Sequence, residues 1–258
     1  MFVTTDDGCR LHVVPGLPGK MPIVLSNSLG TDVGLWDLQV APFAARYSIW
    51  RYDTRGHGLS DAPSGDYSID RLGADLIAVI DATGGDPVDL CGISIGGMTA
   101  LWVALHAPHR VRRLILANTA AKIGHLELWT ERIRVARTEG MAPLAEASMG
   151  RWFTEGYRVH SPEIVARFQA TVASTSVVGY TGCCAALRDA DLRTRAANVT
   201  RPTLVIAGKH DIATPPQAGR WLAEHIRGAR FIELDAAHIS NVECAGEFNQ
   251  AVIGDHHG

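Results

Sequence analysis

Long hydrophobic runs are missing from this chain of 258 residues. No segment approaches the ~18 consecutive apolar residues that a membrane-spanning helix needs, so no membrane partner is expected. Charge of one sign is missing as well. With 24 Lys and Arg against 27 Asp and Glu, the net charge is −3, and the ionic residues are spread along the chain. Neither a nucleic-acid stripe nor a polybasic patch is expected from that pattern. Cysteine is scarce and odd in number: five residues, with Cys183 and Cys184 adjacent. That is a poor disulfide framework and fits a reducing compartment. No Cys/His spacing resembles a zinc site, so no metal is expected, and the terminal "DHHG" reads as a tail rather than a ligand set. The opening "MFVTTDDGCR" has acids where an export signal would carry bases and an apolar run. A cytoplasmic location is therefore expected. Internal repeats and low-complexity tracts are absent, and oligomeric state has no signature.

What is present is a globular composition, 47% hydrophobic and 20% charged. "FVT" and "RLHVV" flank Asp7-Gly8, a hairpin signal. Six short apolar runs follow: "PIVLSNS", "YSIWRYD", "VDLCGIS", "RRLILANT", "TLVIAGKHD" and "RFIELDAAH". Helical patterns such as "SIDRLGADLIAVIDATG" and "QAGRWLAEHI" lie between most of them. Apolar strands alternating with helices predict an α/β fold: a mostly parallel, eight-stranded sheet with flanking helices and an antiparallel edge. From Ala120 to Ala197 strand signals cease, and helical patterns are separated by "GMAP", "HSPE" and "VVGYTG". That interval is too long for one crossover and too long for a structureless loop. It predicts a helical lid, residues 120–197, inserted into a core formed by 1–119 and 198–258.

The run "VDLCGISIGG" ends a strand in glycines around one serine and then becomes a helix. G-x-S-x-G between strand and helix is the pattern of a sharp turn that projects its serine outward. Gly92 and Gly96 let the two backbones pass closely, and Gly97 lets the helix pack. Ser94 is a weak nucleophile until a base takes its proton. The partners required are an acid and a histidine past later strands, in the order Ser, Asp, His. Asp211 in "TLVIAGKHDIATPP" and His238 in "FIELDAAHISNVE" meet that requirement. His210 and Asp235 sit less well past their strand ends, and Asn118 is a poor alternative for the acid. Backbone N–H donors for an oxyanion are expected at Ile95, the residue after the nucleophile, and at Leu29, in the loop that follows "PIVLSNSLG". His57, in "YDTRGHGLSDAP", reads as structural rather than catalytic.

"NSLG", "DTRGHGLSDAP", "GISIGG", "AGKHDIATPP" and "AAHISNVE", in that order, resemble the α/β-hydrolase superfamily. "SNSLGTDVGLWDLQ" and "YTGCCAALRDADLR" resemble, more narrowly, the 3-oxoadipate enol-lactonases, bacterial cytosolic enzymes of the protocatechuate branch of aromatic catabolism. The resemblance implies hydrolysis of a small cyclic enol ester bearing a carboxylate, with no cofactor. A general carboxylesterase, a hydrolase of carbon–carbon bonds, a perhydrolase or a non-catalytic binding protein on the same fold are the alternatives. Serine at position 94 excludes relatives that need aspartate there, the haloalkane dehalogenases and epoxide hydrolases.

The lid segment "HLELWTERIRVARTEG" carries a separate clue. At ~100° per residue, Leu126, Leu128, Trp129, Ile133, Val135 and Ala136 form one apolar face, and Arg132 falls inside it. A buried guanidinium needs an anion or a route to solvent. By pattern alone, Arg132 could meet a substrate carboxylate, pair with a structural acid such as Asp191, or snorkel outward. The resemblance favours the substrate, an anionic lactone. Trp129 would wall the pocket. Trp152 is either a second wall or a core residue. Cys183 and Cys184 read as small buried hydrophobes, and Arg188, Asp189, Asp191 and Arg193 as an ion-paired helix face.

Overall fold

The hairpin and the six apolar runs form one eight-stranded sheet. The strands are β1 (Phe2–Thr4), β2 (Arg10–Val14), β3 (Met21–Ser26), β4 (Tyr47–Tyr52), β5 (Val88–Ile93), β6 (Val111–Ala117), β7 (Thr203–Gly208) and β8 (Arg230–Leu234). The computed structural model describes residues 1–85 and 87–254, so the terminal "DHHG" lies outside the described residues. Strand order is β1-β2-β4-β3-β5-β6-β7-β8. The β1–β2 and β2–β4 pairs are antiparallel, and the rest are parallel. All six residues of β5 are buried, as expected for a central strand covered on both faces.

The helices are α1 (Asp37–Ala44), α2 (Ile69–Ala82), α3 (Ile95–His106), α4 (Leu126–Glu139), α5 (Ala142–Trp152), α6 (Glu155–His160), α7 (Pro162–Ser174), α8 (Val177–Asp189), α9 (Pro216–His225), α10 (Ser240–Glu243) and α11 (Ala245–Gly254). Ser68 starts α2 by accepting the Arg71 N–H at 3.1 Å, which satisfies one of the orphan donors of a helix start. Leu72, Leu76, Val79 and Ile80 form its buried stripe. By contrast α3 is apolar nearly all round, because it packs on β3, β5 and β6 and is covered by α2. Helices α4 to α8 all fall between β6 and β7. Among the described residues no single helix is long and apolar enough to cross a membrane.

One expected separator is instead helix. "VVGYTG" lies inside α8, and the break precedes it, where the Ser176 hydroxyl caps the Gly179 N–H. The glycines serve proximity rather than interruption. A Cβ at Gly179 would sit 2.2 Å from the Gly56 Cα, and one at Gly182 would sit 2.7 Å from the Tyr67 ring. Backbone-to-backbone packing of α8 on the loop after β4 therefore outweighs the ~1 kcal/mol that each glycine costs a helix.

Strand ends set up the site. β7 stops at Gly208 and β8 at Leu234, so Asp211 and His238 lie in loops beyond the carboxyl edge of the sheet. β5 ends at Ile93 on the same edge.

Candidate active site

Ser94 joins β5 to α3 with φ 57° and ψ −121°. Only it and Asn118 have positive φ among the described non-glycine residues. Such a conformation costs ~1–3 kcal/mol and persists only when its surroundings over-determine it. Here the Ser94 N–H donates to the carbonyls of Ala117 and Asn118 at 3.2 and 3.1 Å, and the Thr119 hydroxyl donates to the Ser94 carbonyl at 2.7 Å. The turn also admits no side chains beside it. A Cβ on Gly92 would lie 2.3 Å from the Gly96 carbonyl oxygen, one on Gly96 would lie 2.3 Å from that of Ser26, and one on Gly97 would lie 2.7 Å from Thr119 Cγ2.

In the loops beyond β7 and β8, His238 Nδ1 lies 2.8 Å from Asp211 Oδ2. An ionised carboxylate only accepts, so Nδ1 carries the proton and the Nε2 lone pair is left free. Asp211 is gripped on both oxygens. Oδ1 accepts the N–H groups of Ala213 and Thr214 at 2.8 and 2.9 Å. Oδ2 accepts the Asn118 amide at 3.0 Å and the Thr214 hydroxyl at 2.7 Å, besides the imidazole. Burial alone would raise this carboxyl, but its pairing with His238 and these donors outweigh it and hold Asp211 below its ordinary value. Asn118 is itself fixed: its amide also donates to the Ala237 carbonyl at 3.1 Å, and its side-chain oxygen accepts from Ser240 at 2.5 Å.

The histidine loop is tied to the helices above. The Ala237 N–H donates to Glu243 Oε2 at 2.8 Å, while Glu243 Oε1 accepts the N–H and hydroxyl of Thr154. On the other side, the Ile239 N–H donates to the Trp152 carbonyl at 3.1 Å. His238 is thereby bracketed by the junction between α5 and α6.

Ser94 and His238 open into one cavity of about 350 Å³. Ser28 and Leu29 line its sheet side. Trp129 and Arg132 of α4, Ser148, Arg151 and Trp152 of α5, and Tyr180 of α8 line the other, with exposed Ile212 at the rim. The N–H groups of Leu29 and Ile95 have no acceptor among the described residues. Arg132 lies over the Trp129 ring, 4.9 Å from its centroid. Arg151 donates to the Ser148 hydroxyl at 3.1 Å. Neither arginine is paired with a carboxylate among the described residues. Burial, reinforced by the neighbouring charge of Arg132, brings the Arg151 guanidinium down to about 10, so it remains a cation at neutral pH. Among the described residues no group of three or more His, Cys, Asp or Glu side chains is placed to hold a metal ion.

A strained serine at a strand-to-helix turn, sharing a cavity with an aspartate-bound histidine, is one signature of a fold family. The family described as alpha/beta hydrolase fold matches residues 11–244. The chain belongs to the α/β-hydrolase family. Two relatives from Acinetobacter baylyi resemble this α/β hydrolase over nearly its full length. 3-Oxoadipate enol-lactonase 2 is 42% identical, covering 97% of this chain and 94% of the relative. 3-Oxoadipate enol-lactonase 1 is 36% identical, covering 98% and 96%. The crystal structure of the enol-lactonase from Burkholderia xenovorans LB400 superposes with a TM-score of 0.96 at 43% identity, over 98% of each chain.

Within this α/β hydrolase the other expected positions sort by contact. His210 and Asp235, the competing histidine and acid, pair with each other at 2.9 Å on the surface. Asp191 does not meet Arg132; it pairs with Arg193 at 2.6 Å and Lys122 at 3.6 Å. Nor do Asp191 and Arg193 share a helix face with Arg188 and Asp189, because α8 stops at Asp189. Leu126, placed on the apolar face of α4 by its spacing, is 57% exposed, since it begins the helix at the outer end. Trp152 is both wall and core: it lines the cavity and packs edge-on against Phe168. Cys183 and Cys184 are fully buried. Sequence reasoning missed Arg151, Tyr180 and Thr214. An arginine in "MGRWF" beside an expected wall residue was the one usable signal.

Proposed function

We propose that this α/β hydrolase opens 3-oxoadipate enol-lactone to 3-oxoadipate, a step in the catabolism of aromatic compounds through protocatechuate. The observation that carries the reading is the combination in one cavity of Ser94 and His238 with two arginines that have no carboxylate partner among the described residues. A site for neutral esters has no use for two such cations, whereas a substrate bearing a carboxylate binds them through charge-assisted hydrogen bonds. Kinship with enol-lactonases supports the same substrate. Residues 120–197 act, in this reading, as the lid over the site. A cytoplasmic location accords with five unpaired thiols.

In the proposed reaction His238 Nε2 takes the Ser94 proton as the oxygen attacks the lactone carbonyl, and Asp211 stabilises the imidazolium. The N–H groups of Leu29 and Ile95 receive the oxyanion. Collapse breaks the ring C–O bond, and His238 returns the proton to the departing enol, which remains tethered and tautomerises to a ketone. Water, deprotonated by His238, then attacks the acyl-enzyme; Ser94 recovers a proton and the dicarboxylate leaves. Arg132 and Arg151 hold the substrate's carboxylate, and Trp129 and Trp152 wall its ring. Ser94, His238 and water carry every proton, so no metal or cofactor is invoked.

The test is a substrate panel: the enol-lactone, neutral nitrophenyl esters of similar size, and dienoic diketo acids, with Ser94→Ala as control. The lactone should be turned over with the highest kcat/KM, and Ser94→Ala should lose roughly 10⁴-fold or more. Preference for the neutral esters or the diketo acids would reject the substrate assignment, and near-normal turnover by Ser94→Ala would reject the serine mechanism.

A further inference from the structure

The glycine-rich loop after β4 takes no part in these proton transfers, yet one of its side chains bonds the turn that carries Leu29. His57 is 2% exposed. Its Nε2 accepts the Gly30 N–H at 2.9 Å, and its Nδ1 lies 3.1 Å from the Arg55 carbonyl oxygen. The two partners leave one assignment. A backbone N–H can only donate and a carbonyl can only accept, so the ring is the uncharged Nδ1–H tautomer. Burial also pushes its pKa down, away from the charged form that could not accept from Gly30.

Gly30 and its neighbours form the turn that carries Leu29. The Ser28 carbonyl accepts the Thr31 N–H at 3.2 Å and the Thr31 hydroxyl at 2.7 Å. Gly30 has φ +80°, the left-handed value that a type II turn needs at its third position. The Ser28–Thr31 bonds close this turn, and the bond from the Gly30 N–H to His57 ties its far side to the loop after β4. The anchor behind that partner is firm. Arg55 is held by Asp75 through bonds of 2.5 and 2.7 Å, and Gly56 is pressed against Gly179 of α8.

We infer that His57 is a positioning residue of the oxyanion site, a neutral imidazole that clamps the Gly30 N–H to the Arg55 carbonyl and so holds the turn that presents the Leu29 N–H to the oxyanion. The inference rests on the reading of Leu29 as an oxyanion donor. An oxyanion exists only in the transition state and the intermediates, so a loosened turn lowers kcat and leaves ground-state binding alone.

The experiment compares His57→Phe, which keeps a ring but has no acceptor, with His57→Gln, whose amide oxygen reaches a similar distance. His57→Leu replaces the phenylalanine variant should that one not fold, as judged by circular dichroism and thermal melting. Each is assayed for kcat and KM on the anionic lactone, for inhibition by a trifluoromethyl ketone that forms a tetrahedral adduct, and for inhibition by glutarate as a ground-state carboxylate. The expected result for His57→Phe is a kcat lowered about 10²-fold, the scale of one oxyanion donor, with ketone affinity falling in parallel. KM and glutarate inhibition should not change, and His57→Gln should recover most of the loss. A folded His57→Phe with normal kcat, equal impairment of both variants, or a rise in KM matching the fall in kcat would overturn the assignment. Retained turnover in Ser94→Ala would instead defeat the underlying reading, so the two failures are distinguishable.

Discussion

Replacing Asp211 by asparagine removes one charge and almost no volume, and the surrounding donors dictate which way the new amide must lie. The oxygen at Oδ1 faces the N–H groups of Ala213 and Thr214, which cannot rotate. The oxygen at Oδ2 faces the Thr214 hydroxyl, which can turn to accept, and the Asn118 amide, which cannot flip because Ser240 and the Ala237 carbonyl hold its two ends. Placing the new NH2 at Oδ1 opposes two fixed donors, whereas placing it at Oδ2 opposes one. The second arrangement is preferred, and it presents a donor to His238 Nδ1. The imidazole must then switch tautomer, putting its proton on Nε2, where the base is needed. The expected loss in kcat is about 10⁴-fold, as for a triad histidine held in the wrong tautomer, equivalent to roughly 5.5 kcal/mol in the barrier. One donor–donor contact should cost ~1–3 kcal/mol of stability, and KM should change little because the proposed carboxylate clamp of Arg132 and Arg151 is untouched. Steady-state kinetics and a thermal melt, with Ser94→Ala as the floor, measure all three. A folded Asp211→Asn retaining more than a tenth of wild-type kcat would refute the tautomer argument.

Arg151→Ala and Arg132→Ala should each weaken kcat/KM on the anionic lactone by roughly 10- to 100-fold, the scale of a charge-assisted hydrogen bond. Neutral esters of similar size should change only a few-fold, and equal losses on both substrates would remove the clamp. Gly179→Ala pushes a methyl into the backbone of Gly56, 2.2 Å away, and should cost ~1–3 kcal/mol; a melting temperature unchanged from wild type would contradict the α8 contact. Acid should destabilise the fold through carboxyls whose pKa is lowered in the native state. Asp7, held down chiefly by its hydrogen bond from Arg55, and Asp211 are two such groups. Because the unfolded chain binds their protons first, this stabilisation is present above the ordinary carboxylate pKa of ~3.9 and is lost as pH falls towards the native values. Melting curves should therefore be flat between about pH 6 and 8 with respect to these groups and fall below about pH 4, and Asp7→Asn should flatten part of that fall; an identical acid limb in the variant would exclude Asp7 as a contributor.

Much of this was legible one residue at a time. Strands announced themselves because a strand covered on both faces must be apolar throughout, as β5 is. The serine turn announced itself because Gly92 and Gly96 have no room for any side chain. Other residues were misread for lack of a local signal. Gly179 and Gly182 looked like helix breakers because the Gly56 backbone and the Tyr67 ring that they accommodate are over a hundred residues away in the chain. Leu126 fitted the apolar spacing of α4, but spacing does not register where a helix leaves the protein surface.

The sequence by itself determined the periodicities, the order of the strands along the chain, and the identity of Ser94, Asp211 and His238 as candidates, since each depends on covalent neighbours and near-neighbour sterics. Which charges find partners was decided only by the tertiary structure. Asp191 lies beside Lys122 from the far end of the proposed lid rather than beside Arg132, while Arg132 and Arg151 were left facing one cavity. Asn118, a poor acid by sequence, became the strut between the Ser94 backbone, Asp211 and the Ala237 carbonyl. Hydrogen bonds and ion pairs act over a few ångströms, so residues far apart in the chain can compete for the same partner only after folding has brought them together.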